Sequence, residues 1–157
     1  MFTEGKISDV VVRELTTHVD SRGWLTELFR QDELDPPFHP VMSYVSMTKP
    51  GVVRGPHEHR SQADFFVFLG PSVFTIHLWD YRRSSPTYMT KEVLIAGEGA
   101  PKSVLIPPGV VHAYKNTGTS LGMVVNLPNR LFAGQGRREP VDEIRHELDP
   151  DTKFVVD

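Results

Sequence analysis

Short apolar segments recur along the whole 157-residue chain, and each ends within a few residues at Gly, Pro, Asn or Ser. Residues 73–79 alternate apolar and polar side chains, as a strand with one buried face does. Segments of this length and spacing predict an all-β sandwich or barrel. The expected strands lie at residues 24–29, 43–47, 65–69, 73–79, 92–95, 103–106, 110–114 and 122–127.

The segment after these strands carries the signals of a helix start. Pro140 suits a first-turn position, Asp142 and Glu143 lie beside it, and Ile144 begins an apolar face. A short C-terminal helix is therefore predicted, with the mixed charges of residues 137–147 on a solvated face. No linker, low-complexity tract or charge block divides the chain, so we predict a single domain spanning residues 1–157.

Composition excludes several classes of function. The 17 Lys and Arg residues are balanced by 20 Asp and Glu, and the net charge of −3 gives no basic surface for a nucleic acid. The N-terminus resembles no signal peptide and no apolar run could span a membrane, so a cytoplasmic protein is expected. Without cysteine, disulfides, thiolate nucleophiles and iron–sulfur clusters are excluded, and any metal would need His, carboxylate or water ligands.

Three of the seven histidines form a pattern that composition does not explain. His57 and His59 are two residues apart, so on a strand both side chains point to the same face. Closure of the sheet can bring His112, from another strand, against them. Three imidazoles and the carboxylate of Asp64 could then meet in the mouth of a barrel, where ligand sites are common.

These residues stand in two segments that resemble the paired motifs of the cupin superfamily. Residues 51–70, which contain the His-x-His pair, resemble the first motif. Residues 107–116 begin with Pro-Pro-Gly and resemble the second. The resemblance implies a cupin-type jelly-roll β-barrel.

A closer resemblance covers residues 20–150. Residues 20–27, 51–57, 84–88 and 106–112 are similar, in order and approximate spacing, to the dTDP-4-dehydrorhamnose 3,5-epimerase family, a metal-independent branch of the cupins. The resemblance implies an isomerase that needs no cofactor, acts on a nucleotide-linked 4-keto-6-deoxy sugar and takes part in deoxysugar or polysaccharide biosynthesis. It also implies a homodimer in which an N-terminal strand completes the partner's sheet.

The same resemblance assigns catalytic roles. His57 occupies the position of the histidine base in the family's Arg-Gly-x-His motif, where it would remove a proton beside the ketone. A neutral imidazole suits this task, because its ordinary pKa of about 6.5 leaves much of it unprotonated. Arg54 and His112 match pocket positions that could polarise the ketone.

Other matching positions are expected to bind the substrate. Arg22 and Glu27 correspond to residues that contact the nucleotide, where a guanidinium can grip a diphosphate. The substrate-binding residues expected from the sequence are Arg22, Glu27, Gln62, Tyr114 and Asn116.

Two chemical positions depart from the family pattern. Gln62 and Ala63 are followed by Asp64, where the family has a lysine. An anion that faced a developing enolate would raise the barrier. Phe132 stands where the family's proton-donating tyrosine is expected, and phenylalanine has no proton to give.

These departures leave two roles without an assigned residue. Tyr44, Tyr88 or Tyr114 could supply the missing proton from a shifted position, or only one centre is inverted. The carboxylate that orients the histidine base comes from the family's C-terminal part, and the candidates there are Asp149 and Asp157.

A second interpretation starts from Asp64. With His57, His59 and His112 it completes the ligand set of a metal-binding cupin, suited to Fe, Mn, Ni or Zn. Such a metal could polarise a ketone in place of the lysine. The alternatives to an epimerase are therefore a metallo-cupin with another activity and a non-catalytic cupin that binds sugar nucleotides.

Overall fold

The computed structural model describes residues 1–157 and consists almost entirely of strands and loops. The strands are β1 Thr3–Glu4, β2 Val11–Glu14, β3 Thr17–Asp20, β4 Gly23–Thr26, β5 Tyr44–Thr48, β6 Val53–Glu58, β7 Asp64–Phe68, β8 Val73–Asp80, β9 Thr90–Gly97, β10 Lys102–Ile106, β11 Val110–Asn116, β12 Gly122–Asn126 and β13 Ile144–Arg145. Single 3₁₀ turns occupy Gln31–Glu33, Pro36–Phe38, Gln135–Arg137 and His146–Leu148. None of these helical turns has the length and hydrophobicity that a membrane-spanning helix requires.

Two mainly antiparallel sheets form the body of the fold. One has the strand order β1-β9-β8-β11-β6-β13, and the other has the order β2-β10-β7-β12-β5. A separate hairpin pairs β3 with β4. Buried side chains of both sheets share one apolar cluster, which includes Phe66, Phe68, Phe74, Ile76 and Val124. The all-β prediction is confirmed, and every strand expected from the apolar segments is present with small shifts at its ends.

Strand β6 contains His57 and ends at Glu58, one residue before His59, and it is not among the strands that the apolar pattern predicts. Gly55 and Pro56 interrupt its alternation, and Gly55 has a positive φ of 85°. A Cβ at Gly55 would lie 2.6 Å from the carbonyl oxygen of His112 on the neighbouring β11. Only glycine therefore permits β6 to approach β11 this closely.

The predicted C-terminal helix is wrong. Ile144–Arg145 instead pairs with β6, opposite Glu58 and His57, and only a 3₁₀ turn follows. The carboxylate of Asp142 caps no helix of its own, because it accepts hydrogen bonds from the backbone amides of residues 60–62. The helix signals were local, and contacts with distant strands outweighed them.

The last residues of the chain anchor β13 and the 3₁₀ turn after it to the outer face of the six-stranded sheet. Phe154 is buried there with Trp79, Val111 and Ala113. The Nε2 atom of His146 lies 2.9 Å from an oxygen of Glu58. As a result, β13 is held beside β6, the strand that carries His57.

Substitution of Gly55 by alanine should destabilise the protein through the contact with β11. Gly99 is a matched control, because its φ is also positive at 79° but no atom lies within 4 Å of the place that a Cβ would occupy there. We expect Gly99→Ala to cost about 1 kcal/mol of unfolding free energy and Gly55→Ala about 2 kcal/mol more. Urea denaturation measures both, and equal losses would contradict the steric argument.

Candidate active site

A cavity of about 850 Å³ opens beside β6, within the size range of small-molecule sites. Its walls come from both sheets and from the segment around residues 128–147. The polar and aromatic side chains that line it include Tyr44, Arg54, His57, His59, Gln62, Tyr114, Phe132 and Glu143. Four residues expected at the site from the sequence, His57, Arg54, Gln62 and Tyr114, thus line one cavity.

His57 is fixed at the cavity by strand pairing on both sides of β6. It lies opposite His112 of β11 and opposite Arg145 of β13. Burial, followed by the neighbouring imidazoles of His112 and His59, lowers the pKa of His57 to about 2. The ring is therefore neutral at physiological pH, which is the state required to accept a proton.

Behind His57, a buried carboxylate is shared by the other two imidazoles. The Oδ2 atom of Asp64 lies 3.1 Å from Nε2 of His59 and 3.2 Å from Nε2 of His112. Neither contact is an aligned hydrogen bond, because Oδ2 of Asp64 has no hydrogen-bond partner. The Oδ1 atom accepts hydrogen bonds of 2.9 Å from the side-chain amides of Gln62 and Asn126. Oδ1 of Asp64 thus accepts two hydrogen bonds, and Oδ2 lies close to the rings of His59 and His112.

The remaining nitrogens of these imidazoles face backbone carbonyls. Nδ1 of His59 donates to the carbonyl of Asp142, and Nδ1 of His112 donates to the carbonyl of Val110 at 3.0 Å. Burial alone would raise the pKa of Asp64, but His112 and His59 outweigh it and hold that pKa well below its usual range. For His59, Asp64 overcomes the effect of burial and raises the pKa. The anion at Asp64 is buried, only 1 % exposed, and does not line the cavity.

Arg54 and Tyr114 are oriented by the edge strand β5. The Nε atom of Arg54 donates to Oγ1 of Thr48 at 2.9 Å, and Nη2 donates to the carbonyl of Met47 at 3.0 Å. The hydroxyl of Tyr114 is 2.9 Å from Oγ of Ser46. Both side chains bridge the two sheets where the cavity opens.

His112 does not line the cavity. Only 2 % of the residue is exposed, and both ring nitrogens face other groups of the protein. Its ring centroid lies 4.4 Å from that of His57. This placement does not allow the direct substrate contact expected from the sequence, and it makes His112 a neighbour that supports the His57 ring.

Asn116, expected from the sequence to bind substrate, does not line the cavity either. Its side chain is fully buried and donates to the carbonyls of Thr48 and Ser120, each at 2.8 Å. Its Oδ1 accepts from Ser72 Oγ at 2.7 Å and from the amide of Gly118 at 3.0 Å. With every polar atom used inside the fold, Asn116 stabilises the loop after β11.

Arg22 and Glu27 lie on or just after the exposed β3–β4 hairpin, outside the cavity walls of the same chain. Arg22 forms an ion pair of 2.5 Å with Asp20. Glu27 lies 3.8 Å from Nη1 of Arg30. Neither residue reaches His57 within one chain.

The two C-terminal acids proposed to orient His57 are engaged elsewhere. Asp157 pairs with Lys91 at 2.9 Å, and Asp149 accepts from the amide of Asp151 at 3.0 Å. Of the candidate proton donors, Tyr88 packs on Tyr81 away from the cavity, with 5.4 Å between ring centroids. The sequence does not identify Asn126 or Asp142. Asn126 could have been found, because it is a polar residue that directly follows the apolar run at residues 123–125.

Comparison with protein-family models matches residues 4–130 to the family described as dTDP-4-dehydrorhamnose 3,5-epimerase. This chain belongs to that family. It is 38 % identical over 127 residues to the probable low-salt glycan biosynthesis epimerase Agl13 of Haloferax volcanii, covering 80 % of this chain and 81 % of that protein. It is 36 % identical over 114 residues to the spore coat polysaccharide biosynthesis protein SpsL of Bacillus subtilis, covering 71 % and 73 %.

Solved structures support the fold of this epimerase-family chain. One is ChmJ, a 3'-monoepimerase from Streptomyces bikiniensis in complex with dTDP-quinovose. Its TM-score is 0.77 at 21 % identity, with 100 % of this chain and 83 % of that chain covered. The cupin-type β fold expected from the sequence is thereby confirmed.

Family membership favours the interpretation without a cofactor over the metal-binding one. The ligand atoms of His57, His59, Asp64 and His112 lie within 4.8 Å of one another, so their proximity alone would permit a metal. The position of Asp64 accounts for the cluster in another way, because its Oδ2 atom lies between the two imidazoles, 3.1 Å from Nε2 of His59 and 3.2 Å from Nε2 of His112. Epimerases of this family act without a metal, and the metal-binding interpretation is not retained.

Replacing Asp64 should destabilise the fold in a pH-dependent manner. Since folding lowers its pKa, the carboxylate contributes stability fully above the unfolded pKa of about 3.9 and loses it as pH falls through the lower folded value. Asp64→Asn should cost about 3 kcal/mol at pH 7, and the gap to wild type should narrow below about pH 4. Asp149→Asn is the exposed control. A gap that stays constant in urea denaturation down to pH 3 would contradict the ionised, paired state.

Proposed function

We propose that this protein epimerises a nucleotide-linked 4-keto-6-deoxy sugar, with His57 as the base. One observation carries the proposal: in a chain of the epimerase family, the motif histidine lines a cavity of substrate size. The names of the relatives and the dTDP-sugar ligand of a structural neighbour support this substrate class. Glycan or polysaccharide biosynthesis in the cytoplasm is the setting we propose.

In the proposed reaction, the ketone acidifies the hydrogen on the adjacent carbon. His57 takes that proton, and the electron pair of the carbon–hydrogen bond moves toward the ketone oxygen to form an enolate. Arg54 is the cation positioned to stabilise the enolate oxygen, because Thr48 and Met47 hold its guanidinium in the cavity wall. His112 packs against the His57 ring, with 4.4 Å between the ring centroids, and Asp64 contacts His112 in turn.

Removal of the His57 imidazole should abolish proton abstraction. In heavy water, the wild-type protein should exchange deuterium into a carbon beside the ketone of dTDP-4-keto-6-deoxyglucose, detected by NMR. His57→Asn should reduce this exchange by a factor of about 10² to 10⁴. His39→Asn is the matched control, since the His39 ring bonds the carbonyl of Leu34 outside the cavity and its loss should leave exchange unchanged. Nucleotide binding without exchange by the wild type would contradict the proposal.

We also propose that the active form is a homodimer. The β3–β4 hairpin exposes large apolar side chains, with Val19 at 78 %, Trp24 at 59 % and Leu25 at 66 % exposure. Strand β5 is a sheet edge and exposes Val45 and Met47. Apolar surface of this kind is typical of subunit contacts. A hairpin reaching the partner would also give Arg22 and Glu27 a place in the substrate site.

Light scattering after size exclusion tests the homodimer. The wild type should have twice the 17.7 kDa chain mass. A Trp24→Ser, Leu25→Ser double variant should shift toward monomer and lose substrate affinity, because polar side chains remove the apolar contact. Leu148→Ser is the control at another exposed leucine, 74 % accessible. A monomeric wild type with full activity would contradict the dimer.

A further inference from the structure

The proposed function leaves the second face of the substrate without an acid. Phe132 is in the cavity wall, but it has no proton to give. Tyr44 lines the same cavity from β5, in the sheet opposite the one that carries His57. A sugar bound between the two sheets would therefore have His57 on one side and the Tyr44 hydroxyl on the other.

Asn126 determines how the Tyr44 hydroxyl is used. The Nδ2 atom of Asn126 donates to Oη of Tyr44 at 2.8 Å and to Oδ1 of Asp64 at 2.9 Å. An amide nitrogen has two hydrogens, and both are used in these bonds. Tyr44 is consequently the acceptor in its bond to Asn126, and its own hydrogen remains free for the cavity.

Asp64 fixes this orientation of the Asn126 amide. If the amide were reversed, its oxygen would face the carboxylate of Asp64, and two buried acceptors would repel each other. A lysine at position 64 would have the opposite effect, because a donor there would attract the amide oxygen. That oxygen would then accept the Tyr44 hydrogen and remove it from the cavity. The aspartate at this position and a free Tyr44 proton are therefore linked.

The other cavity tyrosine is less suited to donate. Tyr114 is only 5 % exposed and its hydroxyl is bonded to Ser46, whereas Tyr44 is 46 % exposed. Burial of the Tyr44 hydroxyl raises its pKa to about 12, which keeps the group protonated at neutral pH.

We propose that Tyr44 is the acid that protonates the enolate on the face opposite His57, with Asn126 as the positioning residue that leaves its hydrogen free. The inference rests on the proposed epimerase function. His57 receives one proton from carbon, and the electron pair of the enolate then forms a new carbon–hydrogen bond with the Tyr44 proton. This leaves an imidazolium and a tyrosinate. Water returns a proton to Tyr44 and takes one from His57 after product release.

Tyr44→Phe separates abstraction from inversion. In heavy water, this variant should still exchange deuterium into dTDP-4-keto-6-deoxyglucose, because His57 can return a solvent-derived deuteron to the face from which it took the proton. Inversion, measured by NMR of the sugar, should fall at least 100-fold. Tyr88→Phe is the control, because it loses the same atom from a tyrosine that packs on Tyr81 away from the cavity, and its inversion should be unchanged.

Each outcome bears on a distinct claim. Inversion retained by Tyr44→Phe, with normal exchange, would overturn the inference and leave the proposed function intact. Absence of exchange in the wild type would reject both.

Asn126→Leu should lower kcat for inversion without changing KM or the rate of exchange. Exchange and inversion falling together in Asn126→Leu would show a merely structural role and overturn the positioning of Tyr44 by Asn126.

Discussion

The buried carboxylate of Asp64 is the interaction on which the site depends. A lone ionised carboxylate in this interior would be very costly, so its neighbours must supply donors. Gln62 and Asn126 serve one oxygen, while His59 and His112 approach the other. The arrangement joins β7 and β12 of one sheet to β11 of the other sheet and to the loop after β6. The Asp64 carboxylate, which would be unfavourable without these neighbours, therefore contacts residues from both sheets.

The same carboxylate influences groups that it does not touch. Its neighbour His112 packs against the ring of His57, and its donor Asn126 also donates a hydrogen bond to the hydroxyl of Tyr44. One residue thereby affects the two sides of the cavity. Asp64 stands where the family has a lysine, and the sequence suggests that its charge would disfavour an enolate. The structure is compatible with enolate chemistry, because Asp64 is buried and does not line the cavity.

Much of the fold could be predicted from the sequence, because alternation and Gly or Pro breaks are local signals. The His-x-His spacing and the distant His112 likewise predicted a shared cluster, which the structure brings within 4.8 Å. Strand β6 was harder, since Gly55 and Pro56 break its pattern for a reason that lies on β11. The C-terminal helix failed because the partners of Asp142 are amides some eighty residues earlier, in the loop after β6.

The carboxylate of Asp142, bound by three consecutive amides, has a consequence for how this enzyme can diversify. The match to the epimerase family ends at residue 130, but the cavity wall continues through Glu147. His57 and the Asp64 cluster therefore belong to the matched region, whereas part of the cavity wall belongs to a later segment, which the Asp142 carboxylate, the pairing of β13 with β6 and the burial of Phe154 hold in place. Changes in that segment can reshape this part of the cavity wall while the matched strands and His57 stay as they are.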